Sequence, residues 1–154
     1  MCEDFDYDGQ GVCREFCSPD FDYECAEPGA VPWAGCQECG CVCQVSCDPL
    51  GDDCDEGQAC YLGNGLGVCA ATLRDAGGIG DPCEFVNACG RGLACVNAEF
   101  GPDCDPDGYG CCTPYCDVAA PQCPDGTECA GLWEPGEATA PVLEGLGYCL
   151  IPEA

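Results

Sequence analysis

Residues 4–15 read DFDYDGQGVCRE, with Asp4, Asp6 and Asp8 at alternate positions, Gly9 after them and Glu15 at the twelfth place. This is the pattern of a calcium loop, D-x-[DN]-x-[DN]-G-x5-E. Calcium takes about six to eight oxygen ligands, and alternate acids on a turning backbone supply them. Here Asp4, Asp6 and Asp8 would give carboxylates, Gln10 its backbone carbonyl and Glu15 a bidentate carboxylate, with Gly9 at the sharp turn. A second acidic loop, DCDPDG, carries Asp103, Asp105 and Asp107 at the same spacing, but Pro114 stands where the closing acid belongs. That second loop would hold an ion without flanking helices. Both are candidate Ca2+ sites; Asp and Gly also favour turns with no ion present.

Other chemistry is poorly provided for. The chain has no His, and Arg14, Arg74 and Arg91 are its only basic residues, so the usual general base and the lysine nucleophile are missing. Ser18 and Ser46 are the only serines and have no imidazole to activate them. The run CQECGCVC, with Cys36, Cys39, Cys41 and Cys43, has the spacing of a thiolate zinc cluster in a reducing compartment. The abundance of cysteine favours disulfides there instead. No enzyme activity and no organic cofactor are expected.

The scaffold that must position these loops is unusual. Leu, Ile, Val and Phe make up only about 16% of the 154 residues, and the net charge is −26. Those values alone describe a chain too poor in apolar surface to fold. Against them stand 22 cysteines, enough for a framework of bridges in place of buried hydrocarbon. Bridges at this density need an oxidising compartment, so a mature secreted or cell-surface chain is expected, with no signal peptide visible after Met1. No apolar run is long enough to span a membrane. The negative charge repels nucleic acid and favours cations or basic partners.

The cysteines are spaced as a repeat. The first unit holds Cys47, Cys54, Cys60 and Cys69, the second Cys83, Cys89, Cys95 and Cys104, and the third Cys116, Cys123, Cys129 and Cys149. Each carries C-x2-G-x2-C at its centre, with Gly57, Gly92 and Gly126 in the same place. A glycine so placed predicts a tight turn with positive φ or a close backbone approach. After it a hairpin is expected; in the first unit QACYL and LGVCA flank a GNG turn. Four cysteines allow about three pairings. First-to-third and second-to-fourth is favoured, because it pins a loop across the hairpin. Neighbouring Cys111 and Cys112 are expected to bridge in different directions.

The expected organisation is a cysteine-rich acidic segment, 1–46, followed by cystine modules at 47–79, 80–111 and 112–154. The fold class is a small disulfide-rich protein, mostly irregular, with short β-hairpins. Phe5, Tyr7, Phe21 and Tyr23 alternate with acids, as on a strand with one apolar face, and such an exposed strand could recruit a second copy. Trp33 and Trp133 are candidate interface anchors.

From Cys47 onward, CDPLGDDCDEGQACY, GDPCEFVNACGRGLAC and CCTPYCDVAAPQCPDGTEC resemble cysteine-rich secreted bacterial proteins often labelled "ribulose phosphate epimerase". The resemblance covers about two-thirds of the chain. It implies a secreted disulfide-rich module; an epimerase barrel needs about 200 residues of alternating strand and helix, which this chain lacks. The C-x2-G-x2-C spacing is also similar to colipase-like and Dickkopf-like modules, which bind partner proteins. Two functions follow as expectations. One is a non-enzymatic extracellular structural or interaction protein that binds a protein partner or self-associates, stabilised by calcium. The other is a soluble inhibitor or effector that binds through the enlarged loop 130–147.

Overall fold

A computed structural model describes residues 2–3, 12–13, 24–33 and 41–153. Two compact units are present, Met1–Ser46 and Cys47–Ala154. In the first, β1 (Cys2–Glu3) pairs antiparallel with β2 (Val12–Cys13), and β3 (Ala30–Trp33) with β4 (Val42–Val45). A Cys25–Cys43 bridge ties the entry of β3 to β4, and Cys41 is also bridged. Those pairings take Cys41 and Cys43 out of any thiolate cluster. Asp4, Asp6, Asp8, Gln10 and Glu15, and the aromatic residues from Phe5 to Tyr23, lie outside the described residues.

The second unit is a small disulfide-rich β fold, with no α-helix among its described residues. Strands β5 (Gln58–Gly63) and β6 (Leu66–Ala71) form a hairpin. Asn64 and Gly65 join them with φ of 51° and 80°. Two consecutive positive φ values define a type I′ turn, whose twist matches that of the strands, and Asn-Gly adopts it readily. Strands β7 (Leu93–Asn97), β8 (Gly110–Asp117), β9 (Glu128–Gly131) and β10 (Leu146–Leu150) make one antiparallel sheet in the order β7-β8-β10-β9. Short 3-10 turns lie at Val86–Ala88 and Pro141–Leu143.

The repeat is real, and its geometry corrects one pairing. Bridges join Cys47–Cys60 with Cys54–Cys69, and Cys116–Cys129 with Cys123–Cys149, first to third and second to fourth. In the second unit Cys83–Cys95 follows the rule, but Cys89 bonds Cys112, while Cys104 bonds Cys111. Register gives the reason. The third and fourth cysteines of a repeat sit directly opposite each other on paired strands: Cys60 with Cys69, Cys95 with Cys112, Cys129 with Cys149. Cys104 lies on no strand and has no such position. As expected, Cys111 and Cys112 reach to different partners.

The central glycines behave alike. Gly57, Gly92 and Gly126 have φ of 81°, 77° and 85°, and an added Cβ would meet nothing within 4 Å at any of them. Positive φ, rather than a close approach, therefore selects glycine there. The residue after each donates its N–H three positions back, Gln58 to Asp55, Leu93 to Gly90 and Thr127 to Pro124. That closes the same β-turn three times.

Strand β8 runs through positions 111 and 112. It carries Cys112 for the second repeat and Cys116 for the third. Pro114 is the last residue paired to β7, opposite Leu93, and Tyr115 the first paired to β10. A residue without an N–H thus stands where the strand changes partners.

Side chains join the first repeat to the others. The Tyr61 hydroxyl donates to the Cys89 carbonyl at 2.6 Å, and the Leu62 N–H donates to the Tyr115 hydroxyl at 3.2 Å. Arg91 donates to the carbonyls of Cys54, Asp55 and Gln58 and pairs with Asp52. No disulfide links Cys47–Cys69 to the later repeats, because all fourteen cysteines from Cys47 onward are paired within their own groups. Trypsin is therefore expected to cut after exposed Arg74 and to spare Arg91, which its partners hold. Mass spectrometry of the native digest checks this; a dominant cut at Arg91 would contradict the clamp.

Burial raises the pKa of Tyr61, Tyr115 and Tyr148 above the ordinary tyrosine value, desolvation being the first cause in each. The folded state thus holds protons that the unfolded chain releases. The contribution of these tyrosines to stability is full below about pH 10, the unfolded value, and falls as pH rises beyond it. Urea midpoints read promptly at pH 8 and pH 11 should differ. Tyr115→Phe should shrink that difference; an unchanged difference would assign the alkaline loss to other groups.

Candidate functional site

Among the described residues, two exposed aromatic rings border a groove on the second repeat. Phe85 is 67% exposed and Tyr109 is 88% exposed, and both line a groove of about 560 Å³ together with Cys95, Val96 and Gly110. An adjoining hollow of about 470 Å³ shares Glu84, Phe85 and Tyr109.

The backbone under both rings is fixed. Phe85 falls between two bridged cysteines, Cys83 and Cys89, and its carbonyl accepts the Ala88 N–H that opens the 3-10 turn. Its own extended backbone, φ −122° and ψ 150°, precedes that turn. Tyr109 lies in the loop closed by Cys104–Cys111, after a turn in which Gly108 N–H bonds Asp105 O. Its carbonyl accepts the Ala98 N–H. Two large rings in water on a rigid frame lose little entropy when a partner covers them. Aromatic residues so placed are the usual anchors of protein interfaces.

The acidic loop 103–108 feeds this surface. Asp103 has φ of 57°, and the Asp105 carboxylate accepts the Asp107 N–H at 3.0 Å, so Asp105 shapes the turn that presents Tyr109. Among the described residues, the sets of three or more potential metal-ligand atoms lying within 4.8 Å of one another are cysteine sets. The carboxylates of Asp103, Asp105 and Asp107 form no such set. The cysteine sets, such as Cys47, Cys54 and Cys60, consist of disulfide sulfurs from two adjacent bridges and are not metal sites.

The enlarged loop 130–147 is anchored. Ala140 and Leu143 are fully buried, the Glu144 carboxylate accepts the Gly136 N–H, and a Cβ at Gly65 would lie 3.2 Å from the Thr139 hydroxyl. The loop therefore reaches the hairpin turn of the first repeat. Trp133 is half-buried within it, and Trp33 is half-buried on β3.

Reading the sequence alone missed Phe85 and Tyr109. The available signal was a large aromatic residue in each of two short, polar, cysteine-bounded stretches, with no strand or helix period to bury it. Comparison with protein-family models, with curated proteins and with solved structures finds no match for the chain. The site therefore rests on its geometry.

Proposed function

We propose that this is a non-enzymatic protein of the cell exterior that acts by contact, a disulfide-stabilised structural or interaction protein that holds a protein partner or associates with itself. The observation that carries the reading is the pair of exposed rings, Phe85 and Tyr109, on backbone pinned by Cys83–Cys95, Cys89–Cys112 and Cys104–Cys111. The bridge density supports an oxidising location. The lack of His and Lys supports a role without acid–base catalysis.

Cross-linking capture from the native surroundings, run beside sedimentation of the purified chain, tests the reading. Wild type should yield a discrete cross-linked species or an oligomer, and Tyr109→Ala should lose it. Equal capture by both would remove the groove from the function. Calcium stabilisation through Asp4, Asp6, Asp8 and Glu15 belongs to the same proposal. Millimolar calcium should raise Tm above its value in chelator, and Asp8→Ala, which removes the ligand oxygen, should cancel the rise. Identical Tm values in the two buffers would remove calcium from the proposal.

A further inference from the structure

We propose that the groove between Phe85 and Tyr109 receives a basic segment of a partner protein, with an arginine or lysine side chain entering beside the two rings against Glu84. The inference rests on reading the groove as a protein-contact surface and adds the chemistry of what fills it. Among the described residues Glu84 is the one charged side chain lining both hollows, and it is exposed. The faces of the two rings carry the negative end of their quadrupoles, which attracts a guanidinium or ammonium group.

The surroundings point the same way. Asp105 and Asp107 stand exposed on the turn that presents Tyr109. Among the described residues no Arg or Lys lines the groove, and Arg91 is held by Asp52 and three carbonyls elsewhere. With a net charge of −26, the chain draws basic segments towards this surface and repels acidic ones. A second copy would bring −26 against −26, so a basic partner is the better complement than self-association at this face.

A blocked peptide, acetyl-GRGRG-amide, is the probe, with acetyl-GEGEG-amide as its counterpart. Binding is measured by calorimetry at low and at physiological salt. Wild type should bind the arginine peptide and not the glutamate one. Tyr109→Ala and Phe85→Ala keep the net charge, and each should weaken binding at least about tenfold. Tyr109→Leu, which keeps bulk without a ring, should behave as Tyr109→Ala does. Glu84→Gln should weaken binding more than Asp125→Asn, which removes one exposed charge on the third repeat. Unchanged disulfide maps and Tm values show that the variants are folded.

Equal affinity for wild type, Tyr109→Ala and Phe85→Ala would reduce the binding to general attraction by an acidic surface and overturn the proposal. An oligomer lost in Tyr109→Ala, with no arginine-peptide binding, would place a second copy in the groove. That result overturns the basic partner and leaves the contact surface standing.

Discussion

Full reduction of the native protein, without denaturant, is expected to abolish the cooperative fold of residues 47–154. The core explains why. Its largest fully buried side chains are Tyr61, Leu66, Leu143, Thr113 and the cysteines Cys89, Cys111, Cys112 and Cys149. The cluster around Cys83, Cys89 and Cys112 gains only Ala88, Leu93 and Cys95 as partly buried neighbours. So little hydrocarbon cannot offset the backbone entropy of about a hundred residues, at about 1–2 kcal/mol each. The bridges do so by restricting the unfolded chain. Far-ultraviolet dichroism and a urea titration before and after reduction provide the test. A sigmoidal transition surviving in the reduced protein would overturn this account of the core.

The same argument ranks the bridges. Cys123–Cys149 and Cys89–Cys112 close loops with sequence separations of 26 and 23, against 7 for Cys104–Cys111. Loop entropy alone gives about 3.5 kcal/mol for the longer two and about 2.5 kcal/mol for the short one. Paired Cys→Ser variants should follow that order. Cys104→Ser with Cys111→Ser should spare the sheet and free the loop carrying Tyr109.

Gly147→Ala is the second large effect. A Cβ at Gly147 would lie 2.5 Å from the Ala130 carbonyl oxygen and 2.9 Å from the Cys129 sulfur. Backbone and a bridged sulfur cannot swing aside as a flexible side chain would. Overpacking of this kind costs about 3 kcal/mol. Gly110 in the second repeat is hemmed in similarly, 2.7 Å from the Val96 carbonyl and 3.3 Å from the Cys95 sulfur. Gly126→Ala is the control, since its cost of about 1 kcal/mol comes from positive φ alone. Urea midpoints should therefore fall much further for Gly147→Ala than for Gly126→Ala. Similar falls would mean that the β9–β10 contact is looser than described.

These glycines also show what the sequence held unread. Gly67, Gly110 and Gly147 each stand two residues before the fourth cysteine of a repeat, in GVC, GCC and GYC. The first cysteine of each repeat meets that glycine: Cys47 and Cys83 donate their N–H to the carbonyls of Gly67 and Gly110, and Cys116 pairs with Gly147 across the sheet. Cys104 has Pro102 two residues before it. Counting cysteines alone made Cys104 the fourth of its repeat; the G-x-C pattern would have marked Cys112.

Composition by itself determined that bridges must replace a hydrocarbon core, since both quantities are sums over residues and need no coordinates. Local spacing determined the turns at Gly57, Gly92 and Gly126 and the Asn64–Gly65 hairpin, because positive φ is a property of one or two residues. Tertiary structure alone decided which sulfur meets Cys89, that β8 serves two repeats, and that Phe85 and Tyr109 border one groove. Each of these depends on strand register and on the approach of distant segments, and a one-residue slip would turn the same side chains to the opposite face.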